Sequence, residues 1–269
     1  MYDMLIQTAY PGLLVILIDQ STSMGEPYGA GRKMDFAALA VNRCIYEIIE
    51  SCKSGDETKN RCQIGVYGYG LNGAELLIGG WVSEIETRAL RVQTIPRKVP
   101  DHAGGLVDAP LQLPIYIEPK ANGSTPMDKA FDEARNLIET TWLSRYPDSF
   151  PPIVINITDG APDDVTQATQ AAQRLTALGS NNGKLLLFNA HISDSNAAEL
   201  SLPSFLPSWG EQDATARFLY QISSEIPQEM FPRAVQAGLN PSSGAKGCLY
   251  RAGAELLTKL IVFGSNPMR

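Results

Sequence analysis

Residues 13–18 (Leu13, Leu14, Val15, Ile16, Leu17, Ile18) form one unbroken apolar run that stops at Asp19. Such a run predicts a strand buried on both faces, as in the centre of a parallel sheet. Residues 153–157, ending at Thr158-Asp159-Gly160, and residues 185–191 repeat the pattern. Elsewhere the period changes. Residues 33–52 place Phe36, Leu39, Ala40, Ile45, Ile48 and Ile49 at helical spacing. Residues 127–143 and 165–178 read as further helices, the second behind Asp163 and Asp164, which suit a helix N-terminus. Residues 62–68 and 75–81 read as strands. Their Gly-rich connection is too short for a crossover, so they are expected to pair antiparallel, with the second at a sheet edge. A short helix is expected over 215–223 and a terminal one over 250–262.

Strands alternating with helices predict an α/β fold of three α/β/α layers: a doubly wound, mostly parallel sheet with one antiparallel edge strand. One domain is expected over 1–269. Two stretches exceed that minimal plan. Residues 82–122 are rich in Pro and Gly and read as an insert, functional or partly structured. Residues 193–269 read as a C-terminal extension whose apolar helix faces pack on the same sheet; a dimerising tail is the rival. The chain of 269 residues suffices for a real core, and its 44% hydrophobic and 19% charged composition excludes wholesale disorder. No apolar run approaches the ~18 residues of a membrane helix. The start shows no basic segment leading a long apolar one, which argues against a secretory signal. A net charge of -7, from 22 basic and 29 acidic residues, argues against nucleic-acid or anionic-membrane partners. Cys44, Cys52, Cys62 and Cys248 form no C-x-x-C pair, and the histidines are only His102 and His191, so structural zinc is not expected. The cysteines read as buried thiols and the compartment as cytoplasmic.

Three short segments put hard oxygen donors at element ends: Asp19-Gln20-Ser21-Thr22-Ser23, Gly123-Ser124-Thr125-Pro126-Met127 and Thr158-Asp159-Gly160. Open α/β sheets bind ligands outside the carboxyl ends of their strands, where the strand order reverses. If the strands ending at Asp19 and Asp159 are neighbours, both carboxylates can meet the hydroxyls of Ser21, Ser23 and Thr125. Carboxylates and hydroxyls suit a hard divalent cation, with Mg²⁺ expected and Mn²⁺ also compatible. Three neutral ligands among five leave the ion's charge partly uncompensated, so a carboxylate from another molecule can complete its shell. Either aspartate alone is as easily a turn or cap residue; the full set is far less so.

The pattern Asp19-x-Ser21-x-Ser23-Met24-Gly25, then Thr125, then Asp159-Gly160, resembles the metal-ion-dependent adhesion site of von Willebrand factor A (VWA) domains, over residues 12–192. The resemblance implies that Ser21, Ser23 and Thr125 supply hydroxyl oxygens. It implies that Asp19 and Asp159 bind the ion directly or through water, and that a partner's acidic side chain is the sixth ligand. Two departures are Thr22, where many members have Gly, and the long 82–122 segment. The Asn-Gly-x-Thr-Pro-Met turn is similar to that of stand-alone bacterial intracellular members. Those often accompany Ser/Thr kinases and PP2C-type phosphatases in stress-response gene sets. The implied function is a non-enzymatic, metal-dependent protein-binding scaffold.

The rivals are a metal-assisted hydrolase of phosphate esters and a VWA subunit of an ATP-driven assembly. The sequence offers no P-loop, no G-x-S-x-G elbow and no Arg or Lys beside the motif segments. The G-x-G-x-x-G match at 68–73 precedes an expected strand, not a helix, and reads as a turn. The N-glycosylation patterns at Asn122 and Asn156 fall on the candidate site or a buried strand and are discounted. His191 is expected to be a hydrogen-bonded core residue, Tyr67 and Tyr69 sheet-packing residues, and Phe205, Leu206 and Trp209 core-covering ones.

Overall fold

The computed structural model describes residues 2, 4–96, 98–100, 106–193 and 198–265; His102 lies outside them. Seven strands make the central sheet: β1 Gly12–Asp19, β2 Cys62–Gly70, β3 Gly73–Trp81, β4 Ile153–Thr158, β5 Leu186–Ile192, β6 Leu200–Ser201 and β7 Cys248–Ala252. Their order is β6-β7-β5-β4-β1-β2-β3. Strands β2, β1, β4, β5 and β7 run parallel, and β3 pairs antiparallel at one edge. The two-residue β6 adds a second antiparallel pairing at the other edge. The chain winds outward from β1 in both directions, so the strand order reverses between β1 and β4.

Alternation along the strands builds two cores. Leu14, Ile16 and Ile18 of β1 face one layer, formed by α1 (Lys33–Cys52) and a C-terminal helix, Ala254–Ser265. Leu13, Val15 and Leu17 face the other, formed by α2 (Met127–Asn136), α3 (Val165–Thr176) and α4 (Ala214–Ile222). We label the C-terminal helix α5. Every residue of β1 is buried, which is why its sequence is an apolar run without polar alternation. Asp164 caps α3, accepting the Gln167 N–H at 3.0 Å.

Three expectations need correction. Residues 250–262 are not one helix: Cys248–Ala252 is a parallel strand beside β5, and α5 starts at Ala254. The strand is only five residues long and Gly253 alone separates it from the helix, so its pattern merges with the helical one. The helix expected over 127–143 changes to a π-helical turn at Leu137–Trp142. Phe205 is 75% exposed, although its neighbour Leu206 is buried.

The 82–122 stretch holds a short helix, Val82–Glu86, and a hairpin pairing Arg91–Ile95 with Leu111–Ile115. The buried Asn42 amide of α1 ties its return to the body, accepting N–H bonds from Tyr116 (2.7 Å) and Ile117 (3.1 Å) and donating to the Ile117 carbonyl (2.9 Å). All four cysteines are buried thiols. No helix among the described residues is long and apolar enough to cross a membrane.

Candidate metal centre

Asp19 ends β1 and Asp159 follows β4, and these strands are hydrogen-bonded neighbours. The structure therefore brings four of the five candidate residues into one cluster. Asp19 is fully buried. Its Oδ1 accepts the Ser21 N–H at 2.8 Å and its Oδ2 accepts the Thr158 hydroxyl at 2.6 Å. Ser21 Oγ lies 3.1 Å from Ser23 Oγ, and the Ser23 hydroxyl donates to Asp159 Oδ1 at 2.8 Å. The half-buried Ser23 and exposed Thr22 are where the cluster meets the surface.

Thr125 is not bonded to this cluster; its backbone is held by Asp163 of the loop that follows β4. Its N–H donates to Asp163 Oδ1 at 2.9 Å, and its carbonyl accepts from the Asp163 N–H at 3.0 Å. On the other side, the Thr22 hydroxyl donates to the Gly123 carbonyl at 3.1 Å and accepts the Gly123 N–H at 3.2 Å. The 123–125 turn is thus pinned between the two aspartate loops. Gly123 is required there: its φ is +96°, and a Cβ would lie 2.4 Å from the Leu71 nitrogen. Among the described residues, the Thr125 hydroxyl makes no hydrogen bond to the other four candidates.

One residue was missed by sequence reasoning. Lys33, the first residue of α1, donates to Asp159 Oδ2 at 2.8 Å and to Glu26 Oε2 at 2.6 Å. This overturns the expectation that no Lys or Arg stands beside the motif segments. A signal was present: Arg32 and Lys33 put two cations at a helix N-terminus, where the backbone dipole disfavours them. A cation there needs a carboxylate partner from elsewhere. Thr158 and Asp163, which hold Asp19 and the 123–125 turn, stood out in the sequence only as part of the third oxygen-donor segment and as a residue suited to a helix N-terminus.

Burial pushes the Asp19 carboxyl up to about 6, against the hydrogen bonds from Thr158 and Ser21, and the Asp159 charge adds to the rise. Burial works to lower the Lys33 pKa, but its bonds to Asp159 and Glu26 outweigh this and hold it above its ordinary value. Burial lowers His191 to about 4. Its Nδ1 accepts the Arg251 N–H at 3.2 Å and its ring stacks on Tyr250, as expected for a core histidine.

No three His, Cys, Asp or Glu side chains among the described residues converge on a metal position. Any ion here must therefore use hydroxyls beside its two carboxylates. The oxygen spacing suits that. Two ligands at right angles, each ~2.1 Å from Mg²⁺, stand ~3.0 Å apart, close to the observed 2.8 and 3.1 Å. A cavity of about 530 Å³ opens elsewhere, against α1 and the 91–115 hairpin. Its walls are mostly apolar, and its two arginines are already paired, Arg32 with Asp35 and Arg91 with Glu118.

No protein-family model and no curated protein matches the sequence. Solved structures do. The pilus adhesin SpaC from Lactobacillus rhamnosus GG matches at 11% identity and a TM-score of 0.50, over 98% of this chain and 31% of that one. The SpRpn10 VWA domain matches at 12% identity and a TM-score of 0.40, over 69% of this chain and 77% of that one. Manganese-loaded TRAP from Plasmodium vivax matches at 17% identity and a TM-score of 0.37, over 67% of this chain and 57% of that one. The chain spans less than two thirds of the SpaC and TRAP chains. At these identities the likeness is one of fold alone, and the SpaC match, at a TM-score of 0.50, agrees with the α/β architecture of the sheet and its helices.

Proposed function

We propose that this protein is a non-enzymatic, divalent-metal-dependent binding module that captures an acidic side chain of a partner protein. The observation that carries this reading is the single cluster of Asp19, Ser21, Ser23 and Asp159 at the reversal point of the sheet. These four, with Thr125 from the pinned turn, would hold Mg²⁺ or Mn²⁺. The ion, when bound, supplies a positive charge with a coordination position left for an external carboxylate. The chain's own residues fix the geometry. Thr158 and the Ser21 N–H aim the Asp19 carboxylate, and Lys33 and Ser23 aim Asp159. The site residues imply no bond-breaking step.

The partner is an Asp- or Glu-bearing protein. The resemblance to bacterial intracellular VWA members points to Ser/Thr kinases or PP2C-type phosphatases and a stress-response setting. Buried cysteines held as thiols fit a cytoplasmic location. Affinity purification of tagged protein with Mg²⁺, then with EDTA, tests this reading. A partner retained with Mg²⁺, released by chelator and lost on Asp19→Ala supports it; retention indifferent to both removes it. Lys33 favours one rival, since a phosphate-ester hydrolase needs a cation beside its metal. Two of its three N–H donors are already engaged by Asp159 and Glu26. Mg²⁺- or Mn²⁺-dependent phosphatase turnover abolished by Asp159→Ala would establish the rival instead.

A further inference from the structure

Lys33 is buried, with only 10% of its side chain exposed, and it bonds a carboxylate that is 0% exposed. It holds Asp159 Oδ2, while Ser23 holds Oδ1. The two oxygens of this carboxylate thus face different partners: Oδ2 a fixed ammonium, Oδ1 the serine side of the site. The two aspartates carry two negative units, the most that the candidate ligands can set against a divalent ion. With Lys33 bonded to one of them, the immediate protein charge is one negative unit, and Glu26, on the far side of the ammonium, is 61% exposed and solvated. Opposite consequences follow from Coulomb's law in a partly buried setting. The ammonium repels the ion and weakens its hold, and the loaded site keeps a net positive charge that strengthens its pull on an incoming carboxylate.

We propose that Lys33 is the specificity-setting charge of this site, weakening divalent-cation binding while strengthening capture of an external acid by the loaded protein. This rests on the metal-centre reading above. Its role differs from that of a ligand, because an ammonium has no lone pair to offer the ion. It differs from that of a simple structural ion pair, because neutralising it is expected to improve one binding step and impair the next.

The test is Mn²⁺ titration of the full chain by calorimetry, for the unaltered protein, Asp19→Ala and Lys33→Met. Acetate is then added to the Mn²⁺-loaded proteins, and displacement of metal-bound water is read from water-proton relaxation. Lys33→Met is expected to bind Mn²⁺ at least about tenfold more tightly, to respond to acetate more weakly, and to melt at a lower temperature without metal. Lys33→Gln, which keeps an amide donor for Asp159, is read in the same way where Lys33→Met shows no cooperative melt. Unimproved Mn²⁺ affinity, or an undiminished acetate response, in the folded variant overturns the Lys33 proposal alone. Absence of Asp19-dependent Mn²⁺ binding in the unaltered chain overturns it together with the metal-centre reading.

Discussion

Two buried polar networks lie within one sheet. The first is neutral. The Tyr69 hydroxyl donates to Asn156 Oδ1 (2.8 Å), Asn156 Nδ2 to Asn189 Oδ1 (3.0 Å), Asn189 Nδ2 to Ser223 Oγ (2.9 Å), and the Ser223 hydroxyl to the Leu219 carbonyl (2.7 Å). It crosses β2, β4 and β5 and ends on α4, each link a donor matched to an acceptor. The second is the charged cluster of Asp19, Ser21, Ser23, Asp159, Lys33 and Glu26 at the strand ends. The neutral chain pairs each of these donors with an acceptor, and a satisfied network in low dielectric rigidifies its surroundings. The charged cluster holds more carboxylates than cations and meets the surface at Ser23. Burial of polar groups is common to both; uncompensated charge at an opening is what marks a ligand site.

The comparison predicts that damage to the two networks separates into different observables. The largest expected effect is on the charged one: Asp19→Ala should reduce Mn²⁺ affinity by at least about 1,000-fold, measured by calorimetry, because a ligand and a unit of charge go together. A retained affinity would move the ion elsewhere. Next, Asn156→Ala should cost about 3 kcal/mol in urea unfolding, since it takes one acceptor from the Tyr69 hydroxyl and leaves Asn189 Oδ1 without its donor in a buried setting, while Mn²⁺ affinity stays within about twofold. A fall in affinity as large as that of Asp19→Ala would erase the distinction.

His191 lies in the core near the charged end. Its folded-state pKa, about 4, is below its ordinary value of 6.5. The folded state therefore binds fewer protons than the unfolded one between these values, and stability is lost as pH falls from 6.5 towards 4. The loss is about 3 kcal/mol. Asp19, raised to about 6, acts in the opposite direction, so the informative quantity is the difference between the unaltered chain and His191→Phe across that range. A variant with the same pH slope would show that His191 does not titrate as described. The smallest effect is expected at Phe205, 75% exposed: Phe205→Ser should change stability by no more than about 0.5 kcal/mol.

Much of the fold was legible in the chain because β1, β4 and β5 are buried on both faces and therefore written as apolar runs. Helix α1 was legible because one face packs on the sheet. What escaped has a common cause. Strand β7 and the Arg91–Ile95 hairpin owe their form to partners distant in sequence: Ala190 beside Leu249, and Asn42 beneath Ile117. The Asn156–Asn189 pairing lies across two strands in register. Either residue alone looks like a polar interruption in an apolar strand. At the candidate centre, the oxygen donors stood out because their residue types and order are local facts. Lys33 did not, because its meaning depends on which carboxylate it touches.

The sequence alone determined the chemistry available: five hard oxygen donors, each at the end of an element, an acidic balance, and apolar runs that can only be a buried sheet. These are properties of side chains and short-range periodicity. Tertiary structure decided which of them meet. The reversal of strand order sets β1 against β4 and so brings Asp19 and Asp159 together at the carboxyl ends of these strands. The seating of α1 carries an ammonium onto Asp159 from 126 residues away. Charge acts through space, and distance along the chain does not report distance in space; the sign and strength of the field at this site were fixed only when the chain folded.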